Sequence, residues 1–181
     1  MPFIRALAAL EKTGMPVFLT GDFNSPSHLD WTKKTVHVVR HHTAAVPWVV
    51  TKAAAQYGLK DSFRMKYPDS LLVAGITWPA ARPVIKNSVD GYNPSTADLP
   101  DRLDFILFGG RARVLDSHVV GNSHDESSVI RVSPWPSDHA AVVSTFAVMP
   151  MKWHAAFGIK QVNPQTRLSA PVVSTTKKVY A

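Results

Sequence analysis

The stretch Leu19–Ser27, LTGDFNSPS, sets Asp22 and Asn24 two residues apart where an apolar run breaks into turn residues. A carboxylate at such a point can take a proton from an attacking water, and an amide can donate a hydrogen bond to a developing oxyanion. Asp104 in RLDFIL and Ser137-Asp138-His139 in WPSDHAAVV stand at comparable junctions. A histidine binds phosphate as a cation, or protonates a leaving group, when a carboxylate fixes its tautomer and raises its pKa; Asp104 is the candidate partner of His139. Together these groups meet part of what phosphoester hydrolysis requires: an oriented water, compensation of charge on the phosphoryl oxygens, and a metal on hard oxygen ligands. Plainer readings stand beside these. Gly, Asp, Asn, Ser and Pro also make ordinary turns, Asp104 could pair with Arg102 or Arg111, His139 could be solvated, and Trp78 beside Pro79 could simply pack. His41 and His42, with no third ligand at a telling spacing, read as a surface pair, and His28, His37 and His154 receive no role.

The elements that must position these groups follow from periodicity. Phe3, Ile4, Leu7 and Leu10 have helical spacing closed by Gly14 and Pro16, which predicts an amphipathic helix over 3–13. Val17-Phe18-Leu19 reads as a short buried strand, 47–57 as a second helix ended by Gly58, and 59–64 as a strand. From Tyr67 to Pro100 the Pro, Asp, Ser and Asn content predicts long surface loops. RLDFILFGG gives an apolar strand, with 112–120 as its expected hairpin partner, 129–132 as another short strand and 140–148 as a β-branched strand. This grammar is α/β (α+β), with sites gathered at strand ends.

Composition bounds the rest. A length of 181 residues suits one main domain, and no apolar run approaches the roughly 20 residues of a membrane span. Zero cysteines exclude disulfides, thiolate metal sites and a cysteine nucleophile, and leave the compartment open. The net charge of +7 is lopsided: 15 basic and 13 acidic residues up to Met149 give +2, and five basic residues after it give +5. A basic tail alone argues little for nucleic acid.

GDFNSPSHLDW, DRLDFIL and WPSDHAAVV, in this order and each at a strand end, resemble the C-terminal motifs of the endonuclease/exonuclease/phosphatase superfamily. The resemblance covers about residues 3–148 and implies half of a four-layer α/β sandwich, a mainly antiparallel mixed sheet with flanking helices, plus a C-terminal extended tail. It implies a phosphoester hydrolase dependent on magnesium, with manganese as the alternative. Asp22 would orient the water, Asn24 contact phosphate, Asp104 pair with His139, Asp138 assist at the metal, and Thr77-Trp78 face the substrate. The resemblance leaves the substrate open among a nucleic acid, a phospholipid head group and a sugar phosphate.

In that family an earlier half-domain supplies a second sheet, an Asn and a metal-binding Glu. Neither Glu11, in the first helix, nor Glu126, in a polar loop, fits that role. Ala140 also stands where bacterial relatives often carry Arg, which weakens that substrate contact. The expectation is therefore that residues 1–149 are the C-terminal half of the catalytic domain, inactive alone, with one apolar sheet face uncovered. Residues 150–181 are expected to be a linker and the unpaired first strand of a truncated β-sandwich module, of the kind found in secreted or periplasmic bacterial proteins. The alternative is a catalytically silent interaction module.

Overall fold

A computed structural model describes residues 2–80, 99–121, 128–132, 135–149 and 176–180. Its elements in chain order are α1 (Pro2–Lys12), β1 (Val17–Asp22), α2 (Val49–Gln56), β2 (Lys60–Asp61), α3 (Ser62–Lys66), β3 (Asp104–Gly109), β4 (Ala112–Val120), β5 (Ser128–Ile130), β6 (Ala141–Val148) and β7 (Thr176–Tyr180). They make two open sheets, one of order β1-β3-β2 and one of order β5-β4-β6-β7. Helices with antiparallel and mixed sheets fit the α/β class read from the sequence.

The apolar strand β3 is the centre of the packing because it is buried on both faces. Phe105 and Leu107 point one way, joining Val17, Ala54 and Leu59 with Leu7 and Leu19 beneath α1 and α2. Ile106 and Phe108 point the other way, onto Val114, Val142 and Phe146 of the second sheet. Period-two alternation thus lets one strand serve two cores. A third cluster of Phe63, Val119 and Ala140, with Trp135, packs at another end of the sheets.

Three expectations from the sequence are corrected. First, β4 is not a hairpin partner of β3: it runs antiparallel to β6 and parallel to β5, in the other sheet. The crossing occurs at Gly110, whose φ of +67° suits glycine and whose missing Cβ would collide with the Met15 carbonyl. Second, the strand expected over 59–64 is only Lys60–Asp61, because the Asp61 side chain accepts from Phe63 N and Arg64 N and caps α3 instead. Third, the C-terminal strand has a partner: β7 pairs with β6.

The loops expected over 67–100 hold in the described residues 67–80 and 99–100; 81–98 lie outside them. The same is true of Glu126 and His154. The outward face of the β5-β4-β6-β7 sheet mixes half-buried Val120, Ala141, Val143 and Ala147 with Asp116, His118 and Thr145. That face is mixed rather than wholly apolar. No helix among the described residues is long and apolar enough to cross a membrane.

Candidate active site

The end of β1 and the start of β3 meet, with Asp22 opposite Asp104 in the antiparallel register. The loop before β6 brings His139 to the same place, where Nδ1 lies 2.9 Å from Asp104 Oδ2. The donor atoms of Asp22, Asp104 and His139 all fall within 4.8 Å of one another. Asp104 is buried and His139 about three-quarters buried, whereas Asp22 is exposed. Asp104 therefore does not pair with Arg102 or Arg111.

Burial opposes the charged form of His139, but the hydrogen bond and charge of Asp104 outweigh it, with Asp22 and Asp138 adding to the effect. The net pKa is raised, so the imidazolium is favoured relative to a free histidine. Asp22 Oδ1 accepts from Asn24 N at 2.7 Å, which orients the carboxylate. Asn24 itself adopts φ +47°, a left-handed conformation that Asn tolerates better than most residues.

The remaining residues singled out in the sequence are near, in different settings. Thr77, expected to face the substrate, is fully buried. Its Oγ1 instead accepts from Leu103 N and Asp104 N at 2.9 and 3.1 Å, and its carbonyl accepts from Ala140 N. One threonine thereby ties the β3 carboxylate to the histidine loop. Trp78 donates from Nε1 to Asp138 Oδ2 at 3.2 Å, with its ring 6.4 Å from that of His139. Asp138 is exposed and is not among the three residues whose donor atoms converge. Ala80 N also donates to the Asp138 carbonyl, and Trp135 Nε1 to that of His139, so the loop is held from both sides.

Sequence reasoning missed the layer beneath. Arg102, two residues before Asp104, is fully buried between Asp30 and Asp61, at 2.9 and 2.7 Å from their carboxylates. Arg64 pairs with Asp30 as well. Burial disfavours the charge on Arg102 but the two carboxylates more than restore it, whereas burial and the neighbouring Arg102 together lower the pKa of Arg64. This four-membered network joins the HLDW loop, the α3 cap and the approach to β3. Asp30 lay within the quoted motif, but its partners stand 34 and 72 residues away.

His41 and His42 are not surface residues. His42 is 4% exposed, its ring stacks on Trp31 at 4.1 Å, and both histidines approach Asp101. His28, given no role, lies against the Thr51 hydroxyl of α2.

Two carboxylates and an imidazole converging at paired strand ends suit a divalent cation with oxygen ligands. Asp22 is exposed, as a site open to substrate and water requires. Comparison with known proteins agrees with this chemistry. The chain is 32% identical over 141 residues to Uncharacterized protein F14F9.5 of Caenorhabditis elegans, covering 73% of this chain and 41% of that protein. It thus spans about two fifths of the relative's length. No solved structure matches. The profile of the Endonuclease/Exonuclease/phosphatase family matches residues 3–139, ending on the histidine at the site, and the chain belongs to that family.

Proposed function

We propose that this chain carries the water-orienting and phosphate-binding loops of a magnesium-dependent phosphoester hydrolase, and that it is the C-terminal half of the catalytic domain. The observation that carries the reading is the convergence of Asp22, Asp104 and His139 within 4.8 Å on two paired strands and a loop. Asp22 and Asp104 would hold the metal, with Asp138 assisting from the neighbouring loop; magnesium, or manganese in its place, would supply charge compensation at the phosphoryl oxygens. Asp22 takes the proton of the attacking water. The Asn24 side-chain amide donates to a phosphoryl oxygen. Asp104 holds His139 by Nδ1, which leaves Nε2 as the nitrogen that meets the phosphate or the leaving oxygen. Thr77 acts by positioning Asp104, and Trp78 by holding the Asp138 carboxylate beside the substrate path.

A second reading, a half-domain silent by itself, is favoured by the one described glutamate. Glu11 lies in α1 beside Gly58 and Gly109, at the far end of β3 from Asp104. Among the described residues no glutamate joins the converging donors. Both readings meet in one experiment. The chain alone and the chain joined to the N-terminal half of a complete relative are assayed on a generic phosphodiester with magnesium. Turnover by the joined protein that falls at least about a hundredfold in His139→Ala and Asp22→Ala supports the assigned roles. Near-normal rates in both variants overturn them, and a joined protein that folds without turnover favours the silent reading.

A further inference from the structure

A second cluster lies outside the residues just assigned. His41 Nε2 is 3.3 Å from Asp101 Oδ2, and His42 Nε2 is 3.7 Å from Asp101 Oδ1. The donor atoms of all three residues lie within 4.8 Å of one another. These nitrogens are buried; His41 Nε2 and His42 Nε2 face the Asp101 carboxylate outside good hydrogen-bond geometry, and His42 Nδ1 meets no acceptor or donor. Buried polar atoms are seldom left so, and each one without a partner costs stability.

We propose that His41, His42 and Asp101 bind a transition-metal cation of the zinc type. The spacing fits. Zinc bonds of about 2.0–2.1 Å to nitrogen and oxygen place two tetrahedral ligands about 3.4 Å apart, which is too long for a good hydrogen bond and close to what is seen here. Two imidazoles select a borderline ion such as zinc over magnesium, which favours the carboxylate pair at the other site. Trp31 Nε1 donates to Asp101 Oδ1 at 2.9 Å and stacks on His42, so it orients one ligand and fixes the plane of another. A cavity of about 50 Å³ lined by His42 and Asp101 adjoins the cluster and has room for a water beside these two residues. Arg64 and Arg102 line the same cavity, but Asp30 and Asp61 offset their charge.

The ion would act as a staple. Asp101 N donates to the Trp78 carbonyl, while Thr77 N and Trp78 N both donate to the Asp101 carbonyl. A metal on the Asp101 carboxylate therefore ties the His41–His42 loop to the segment that holds Asp104 and Asp138. This site does not depend on whether the chain hydrolyses phosphoesters.

The test uses the full 181-residue chain carrying Asp22→Asn and His139→Gln, so that the other cluster cannot compete. After chelator treatment it is loaded with zinc and gel-filtered. We expect one equivalent retained, X-ray absorption scattering from two imidazoles, and a rise in melting temperature with zinc but not with magnesium. His41→Gln should weaken binding at least about a hundredfold, and Trp31→Phe, which keeps the ring, by about tenfold. Should His41→Gln fail to fold, the scattering from the unmutated ligand set still decides. No retained zinc, scattering from fewer than two imidazoles, or unchanged affinity in a folded His41→Gln protein overturns the proposal.

Discussion

Asp22 and Asp104 stand directly opposite each other across the β1–β3 ladder, so their carboxylates leave the same face of the sheet. Like charges in this position repel. The protein keeps the pair where a cross-strand site would ordinarily select against it, with His139 on Asp104 and the Asn24 N–H on Asp22 as neighbours that relieve it. Such a conflict between stability and placement is what a cation-binding site produces.

The first prediction concerns that repulsion. Asp22→Asn should stabilise the metal-free chain by about 0.2–1 kcal/mol, toward the lower end because Asp22 is exposed. Urea unfolding with and without magnesium measures it. The gain should shrink or reverse when magnesium is present, since only the aspartate pair is stabilised by the ion. An equal gain in both conditions would count against a cation at this pair.

The second prediction concerns pH. Asp104 raises the pKa of His139 above its unfolded value, so the interaction contributes fully below about pH 6.5 and is lost as pH rises through the folded-state pKa. Asp104→Asn should therefore cost most stability at mildly acid pH and progressively less on the alkaline side. In NMR titration, the His139 ring of the wild type should titrate above 6.5, and Asp104→Asn should move it down. A ring that titrates at the same pH in both proteins would remove Asp104 from the role of partner.

The third prediction tests the buried network. Arg102→Met leaves Asp30 and Asp61 facing each other without their shared guanidinium, and breaking a buried pair this way costs about 3–5 kcal/mol. Arg102→Lys should recover only part of it, because a single ammonium cannot span both carboxylates as the planar fork does. Chemical denaturation of the two variants gives the comparison. A loss under about 1 kcal/mol for the methionine variant would mean that the network contributes little to the fold.

How far these features could be read in the sequence depended on how local their causes are. The α1 helix, β3, β4 and β6 were legible because periodicities of 3.6 and 2 report burial within a single segment. Asp22, Asn24, Asp104, Asp138 and His139 stood out because polar residues interrupt apolar runs at strand ends, and the structure brings Asp22, Asp104 and His139 together.

What was missed is non-local, with one exception. The partner of β4 is decided at Gly110, where a left-handed turn sends the chain to the other sheet, and nothing in the strand itself encodes that choice. The burial of His42 depends on Trp31 and on Asp101, 59 residues onward, so it left no local trace. Arg102 read only as a possible partner of Asp104 because its two actual partners lie 41 and 72 residues earlier. The exception is Asp61. An Asp ahead of a Ser-Phe-Arg-Met-Lys run is a helix-start signal that could have ended the expected strand at that residue.

The last prediction separates positioning from substrate contact at Thr77. Its hydroxyl oxygen is an acceptor for two backbone N–H groups, of Leu103 and Asp104, so Thr77→Val keeps the shape of the side chain and removes the acceptor. Each donor left unpaired costs about 1–3 kcal/mol where it is buried. Thr77→Ser restores the oxygen and should stay within about 1 kcal/mol of wild type. In a catalytic domain completed by an N-terminal half, a positioning residue should lower kcat through Asp104 and His139 while leaving KM little changed. It should also lower the His139 pKa in NMR titration, because the Asp104 carboxylate loses its fixed seat. A substrate-contacting threonine would instead raise KM and leave that pKa where it was. Since Thr77 is fully buried, the first pattern is the expected one.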